Sequence, residues 1–257
     1  MIKEELHISI VQPEIRWNDI GTNLQHIEEL LTEVSNSDLI ILPEMFATGF
    51  TVCAPTTDDA QSVLPWMKRL SARKQCVVTG SISIMENSKR YNRLCWVLPD
   101  GTVGYYDKRH LFPKSTEPQY FEPGDKREIF QYKGWRICPQ ICYDLRFPVW
   151  SRNWYHEGKF GYDILLYVAN WPAIRSQAWN TLLRARAIEN QVYVAACNCI
   201  GKDPTHCDYH GESQIITPEG NILCKAEGHH AQVIQRTLSW QSLERYRERF
   251  CFAEDWD

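Results

Sequence analysis

After Asp38, the run Leu39-Ile-Ile-Leu42 offers no position at which water could be tolerated, so whatever it forms must be covered on both sides. "YDILLYVAN" further on is a second run of the same kind. Continuous apolar stretches this short read as strands inside a sheet that carries packed layers on each face. Amphipathic patterns separate them. "WNDIGTNLQHIEELLTEVS" places Ile20, Leu24, Ile27, Leu31 and Val34 on one helical stripe, with Asn18 as the expected N-cap. "DAQSVLPWMKRLSARKQ" and "QAWNTLLRARAIENQ" read as two more helices, the latter with Trp179, Leu182, Leu183 and Ala187 turned inward, and "SWQSLERYRERF" as a last one.

Strands fill much of the remainder. "LHISIVQ" alternates, "CVVTGSISI" is a strand, and "RLCWVLPDGTVGYYD" is a hairpin turning at Pro99-Asp100-Gly101. "REIFQYKGWRICPQICYD" forms another pair around Lys133-Gly134, and "VYVAACN", "SQIITPEGNILCKA" and "AQVIQRT" supply more. Early strand–helix alternation with interleaved hairpins points to a layered α/β sandwich. No repeat or long linker divides the chain, so one domain over residues 1–257 is expected.

A net charge of −4 gives no footprint for nucleic acid. No stretch approaches the roughly 20 apolar residues of a membrane span, and "MIKEELHISI" lacks a secretory apolar run, so a cytoplasmic location is expected. The ten cysteines show no framework spacing, and several sit inside apolar runs, as in a reducing compartment. In "CNCIGKDPTHCDYH", Cys197, Cys199, Cys207 and His210 could supply four zinc ligands, but the paired knuckles of common zinc modules are missing.

Three apolar runs end on a reactive side chain: Glu44 after "LIIL", Lys108 after "TVGYYD" and Cys142 after "RICPQI". Ligands in open α/β sheets gather beyond the carboxyl ends of strands, so the three groups could share a cleft. A free thiol is only a few per cent thiolate at neutral pH and needs a base to attack. Glu44 could take that proton and return it to a leaving amine, and Lys108 with the Tyr143 N–H could hold an oxyanion, which together amount to acyl transfer. The competing readings are a packing cysteine, an ion-paired or capping Glu44 and an exposed Lys108. A Cys–His design would use His110 or His156, the latter on an expected surface helix end in "NWYHEGK".

"LPEMFATGF", "YYDKRHLFPKSTE" and "ICYDLRFP", with "NWP", "RARAIENQVYVAACN" and "GESQIITPEGNIL", resemble in order and spacing the motifs of the nitrilase, or carbon–nitrogen hydrolase, superfamily across essentially the whole chain. The resemblance implies a four-layer αββα sandwich, a homodimer and no metal or organic cofactor. It makes Cys142 the nucleophile, Glu44 the base, Lys108 the oxyanion-side cation and Glu117 the second glutamate that helps place substrate or water. "PEMF", "HLF", "CYDLRFP" and "NWP" are most similar to the ω-amidases, which release ammonia from the terminal amide of 2-oxo dicarboxylic acid monoamides. A small carboxylate-bearing amide needs an apolar wall and a cationic clamp. Phe46 and Trp171 are the candidate walls and Arg175 the candidate clamp. Arg146, Arg186 and Glu189 read as structural charges. A related amidase, carbamoylase or nitrilase, or a silent binding module on the same sandwich, remains an alternative. Pro139, inside the strand before Cys142, implies a bulge or an edge position.

Overall fold

The computed structural model describes residues 2–51 and 61–256; Cys53 and residues 59–60, expected to open the second helix, lie outside them. The chain runs from β1 (Glu5–Gln12) through α1 (Ile20–Leu30) to β2 (Leu39–Ile41), and through α2 (Val63–Lys74) to β3 (Val77–Glu86). It then doubles back in β4 (Lys89–Val97) and β5 (Val103–Asp107). A loop carrying α3 (Glu117–Tyr120) leads to β6 (Phe130–Tyr132), β7 (Trp135–Ile141), α4 (Pro148–Ser151) and the small hairpin β8 (Tyr155–His156) and β9 (Lys159–Phe160). Next come β10 (Ile164–Ala169), α5 (Ser176–Asn190), β11 (Tyr193–Asn198) and an outlying hairpin, β12 (Ile200–Lys202) and β13 (Asp208–His210). β14 (Gln214–Ile216), β15 (Ile222–Lys225), β16 (Gln232–Ser239) and α6 (Trp240–Arg249) complete the order.

Two six-stranded sheets result, ordered β16-β1-β2-β3-β4-β5 and β15-β14-β11-β10-β7-β6. The expected αββα layering follows from side-chain alternation. Leu39 and Ile41 point between the sheets, where they meet Ile164, Leu166 and Val168, while Ile40 packs outward with Ile27, Trp66 and Leu70 of α1 and α2. On the far side Leu165 and Tyr167 pack outward against Trp179, Leu183 and Ala187 of α5. Both apolar runs are therefore wetted on neither face.

Strand direction positions the chemistry. β1, β2 and β3 are parallel, and two antiparallel steps through β4 bring β5 back to the same direction. Glu44 beyond β2 and Lys108 beyond β5 thus emerge at one end of the first sheet. In the second sheet β7, β10 and β11 are parallel, so Cys142, Asn170 and Asn198 follow three neighbouring carboxyl ends.

Three local expectations change. The N-cap of α1 is Asp19, whose Oδ1 accepts the Thr22 N–H at 3.1 Å, while Asn18 takes a left-handed φ of 62°. His156 is on no helix; Glu157 and Gly158, at φ 49° and 76°, turn β8 into β9. Pro139 marks no bulge. Arg136 directs both its N–H and its C=O toward Asp163 on the β10 side, so alternation sends the ring nitrogen of Pro139 the other way, past the last β6 pair at Ile137. The missing donor falls where no strand waits for it.

The loop before β6 presses on the end of β5: Gly124 N–H donates to Lys108 O at 2.9 Å, and a Cβ at Gly124 would overlap the Asp107 carbonyl. Gly124→Ala is expected to destabilise by about 1–3 kcal/mol through that overlap, seen as a lower denaturant midpoint with an unchanged slope.

Candidate active site

Glu44, Lys108 and Cys142 meet at the floor of one cavity, and Glu117 lies behind Lys108, fully buried and off the cavity wall. Lys108 Nζ donates to Glu44 Oε1 at 2.8 Å and to both Glu117 oxygens at 3.1 Å. All three residues are at most 1% exposed, which removes the reading of Lys108 as a loop charge. The remaining lone pairs are matched by neighbours. Asn92 Nδ2 donates to Glu44 Oε1 at 2.8 Å and to Glu117 Oε1 at 3.2 Å. Asn170 N–H donates to Glu44 Oε2 at 2.8 Å, and Phe112 N–H to Glu117 Oε2 at 2.6 Å. An ammonium has three hydrogens: one goes to Glu44, the equal 3.1 Å contacts to the two Glu117 oxygens share a second, and the third is left for the cavity that Lys108 lines.

Cys142 opens a 3-10 turn, Cys142–Arg146, with its own φ at 46°, left-handed backbone that costs a non-glycine residue roughly 1–3 kcal/mol. Asp144 secures that strain. Its carboxylate accepts Ile141 N–H at 3.0 Å, Tyr106 Oη–H at 2.7 Å and the His110 backbone N–H at 2.9 Å, and His110 Nδ1 lies 2.8 Å away. The half-buried Cys142 sulfur faces Asn170 O at 3.8 Å, and the Tyr143 N–H stands in the first turn, where helix donors have no intrahelical acceptor.

The electrostatics follow from burial and charge. Desolvation alone would strip the Lys108 proton, but the carboxylates of Glu117 and Glu44 overcome it and hold the ammonium above its usual range. Burial raises the Glu117 carboxyl, with Lys108 opposing and Glu44 reinforcing. Burial and then the nearby negative charge of Glu44 raise Cys142 well above an ordinary cysteine despite Lys108. The resting group is a thiol, and any attack by it must hand over a proton.

The cavity holds about 590 Å³, within the range of small-molecule sites. Trp171 lines it as expected, and so does Arg175, its guanidinium 5.2 Å from the Phe112 ring centroid. Phe46 does not. It is fully buried against Trp66 in the layer outside the first sheet, because Met45, at φ 42°, swings the chain away between Glu44 and Phe46. Arg146 is the second correction. It is half-buried on the cavity wall with its guanidinium 4.9 Å from the Trp171 ring centroid. Among the described residues, neither Arg146 nor Arg175 forms an ion pair with a carboxylate. Arg186 and Glu189 behave as expected: they pair at 2.9 Å, and Arg186 ties down Leu145 O at 2.7 Å.

The competing residues disperse. His110 is taken up by Asp144 and stacks on Phe147, and the His156 side chain is 82% exposed. Cys197 packs between the sheets against Val11 O, Cys199 donates to Asn170 Oδ1 at 2.7 Å, Cys207 faces the cavity and His210 stacks on His229. Among the described residues no group of three or more His, Cys, Asp or Glu side chains is arranged to hold a metal. Asn92 and Asn170 escaped the sequence reading. No pattern in "YNRLCWVL" set Asn92 apart from any other polar residue on a strand.

Two parallel strand ends, a buried ammonium between carboxylates and a strained thiol define a hydrolase of carbon–nitrogen bonds. The chain matches the carbon–nitrogen hydrolase family over residues 7–248 and belongs to it. It is 44% identical over 253 residues to Omega-amidase YafV of Escherichia coli (strain K12), covering 98% of this chain and 97% of that one. It is 33% identical over 255 residues to the 2-oxoglutaramate amidase of Bacillus subtilis (strain 168), covering 96% of each. Among solved structures, a CN-hydrolase superfamily protein from Xanthomonas campestris, with an arsenic adduct in its active site, aligns at a TM-score of 0.95 and 40% identity over 99% of this chain and 98% of that one.

Lys108→Met would leave two carboxylates in a dry site without a counter-ion, an expected loss of about 3–5 kcal/mol at neutral pH. A buried, unpartnered carboxyl has a raised folded-state pKa, so the stability it permits is present at low pH and lost as pH rises through that value. The deficit of the variant should therefore shrink on acidification. Urea titrations at mildly acidic and mildly alkaline pH measure it.

Proposed function

We propose that this protein is an ω-amidase, hydrolysing the terminal amide of a small 2-oxo dicarboxylic acid monoamide, 2-oxoglutaramate above all, through a thioester on Cys142. One observation carries the reading. A thiol, a carboxylate and an ammonium backed by a second carboxylate share the floor of a cavity whose wall presents Arg146 and Arg175, two guanidiniums with no carboxylate partner among the described residues. The first set cleaves an amide; the second accommodates a substrate that ends in a carboxylate.

Cys142 Sγ attacks the amide carbon as its proton passes to Glu44. The developing oxyanion lies between the third Lys108 hydrogen and the Tyr143 N–H, donors of a kind worth about 3–4 kcal/mol each. Glu44 returns the proton to nitrogen, and ammonia leaves. Water, deprotonated by Glu44 with Glu117 holding Lys108 in place, then opens the thioester and frees the 2-oxo dicarboxylate. Trp171 forms the apolar wall beside the substrate chain. Arg146, immobilised on Trp171, takes the distal carboxylate, with Arg175 as its partner at the rim. Phe46 has no part in this.

The same reading makes the protein a cytoplasmic homodimer. Nine free cysteines among the described residues suit a reducing compartment, and no helix among those residues is long and apolar enough to cross a membrane.

Cys142→Ala should abolish ammonia release while leaving the thermal transition nearly in place; substantial residual turnover would remove Cys142 as nucleophile. Comparing 2-oxoglutaramate with glutamine, a nitrile and an N-carbamoyl amino acid tests the substrate, and preference for any of the last three would overturn the ω-amidase reading. Arg146→Met should raise KM for 2-oxoglutaramate roughly 10- to 100-fold, the loss of one charge-assisted contact, with a smaller change in kcat.

A further inference from the structure

Asn92 touches every part of the charged cluster without reaching the cavity. It lies in mid-β4, fully buried, and is absent from the cavity wall. Its backbone carbonyl accepts Lys108 N–H at 2.9 Å, and its two amide hydrogens go separately to Glu44 Oε1 and Glu117 Oε1. The orientation of the amide is set from behind. Ser81 Oγ–H donates to Asn92 Oδ1 at 2.8 Å, and Ser81 Oγ in turn accepts Met45 N–H at 3.0 Å, one residue from Glu44. A flipped amide would turn its oxygen toward two carboxylates.

The two oxygens of Glu44 are consequently unequal. A carboxylate oxygen has two in-plane acceptor positions. On Oε1 both are filled, by Asn92 and by Lys108. On Oε2 the Asn170 N–H fills one, and the other has no donor among the described residues, so it is the acceptor position Glu44 has left for the thiol proton.

We propose that Asn92 is a positioning residue that, with Lys108, closes Glu44 Oε1 to protonation, so that the Cys142 proton is received and returned at Oε2 alone. The inference rests on Glu44 acting as the base. In the step, the S–H bond breaks and an Oε2–H bond forms as sulfur bonds to carbon and the carbonyl π pair moves to oxygen; the proton then leaves Oε2 for the amine nitrogen as the C–N bond breaks. Without the amide, Glu44 can rotate or take the proton on the face turned away from sulfur.

The test needs two readouts, one of them independent of substrate. Ammonia release gives kcat, KM and the pH profile. Alkylation of Cys142 by iodoacetamide, followed across pH by peptide mass spectrometry, reads proton removal from the thiol whatever the natural substrate is. In Asn92→Ala, kcat should fall ~100-fold, the usual consequence of a misplaced catalytic group, with KM within about twofold. The acid limb of both profiles should move together, because the acceptor of the thiol proton has lost the N–H that held it in place. The other groups facing Glu44, namely Lys108 from the end of β5, Glu117 from α3, Cys142 after β7 and Cys199 after β11, are unchanged in the variant. Ser81→Ala, which keeps the amide but frees it to turn, should shift both limbs the same way by less, and decides the matter if Asn92→Ala does not fold. Unmoved acid limbs in both variants, or a raised KM with an unmoved limb, would overturn the proposal. Glu44→Gln separates the two ideas. If it alkylates like the parent at every pH, Glu44 is not the base. If it is slowed while Asn92→Ala and Ser81→Ala match the parent, only the role of Asn92 falls.

Discussion

Everything at this site depends on keeping one ammonium charged in a place without water. Lys108 is held between two carboxylates from different parts of the chain, and removing three ions from solvent is tolerable only because all but the two positions that serve the reaction, one Lys108 hydrogen and one Glu44 lone pair, find a partner. Those partners come from β4, from the turn after β10 and from the loop before α3. The cluster is thus a knot joining both sheets. Its net charge of one minus, with the thiol neutral, also explains why the sulfur keeps its proton at rest.

The sandwich makes such a knot feasible. A reactive group placed on a strand itself would face packed hydrocarbon, whereas one just past a strand's carboxyl end sits where the layers part. β2 and β5 deliver carboxylate and ammonium from one sheet, and β7 and β10 deliver the thiol and a backbone donor from the other. Neither sheet holds a complete set. The local strain at Cys142 is supported from below by Asp144, which gathers Tyr106 of the first sheet and the turn of the second on one carboxylate.

Much of this was legible in the sequence because it is written in runs. Apolar stretches covered on both faces announced the layers, and the reactive residue closing each of three runs announced the cluster. What escaped is whatever a single backbone angle decides. Met45 in a left-handed conformation turned Phe46 out of the site, and nothing in "PEMF" signals that turn. Arg146 read as a core charge because its neighbours are core, yet the 3-10 turn after Cys142 carries it onto the wall. Asn18 gave way to Asp19 as the cap by one position, and Pro139 proved harmless because β6 is too short to need its missing hydrogen. Asn92 and Asn170 had no visible pattern, since an amide in a strand shows its purpose only once its partners are placed.

The first sheet is closed by its most distant segment: Glu5 pairs with Ser239, and the whole of β1 is zipped to β16. At roughly 5–20 residues per second, a ribosome needs many seconds between making the two strands. Throughout that interval β1 presents an open row of amides along the edge that β16 later covers. Closing this edge is therefore a long-range step, and until β16 arrives the bare side of β1 is the place where a nascent chain can pair with a foreign strand.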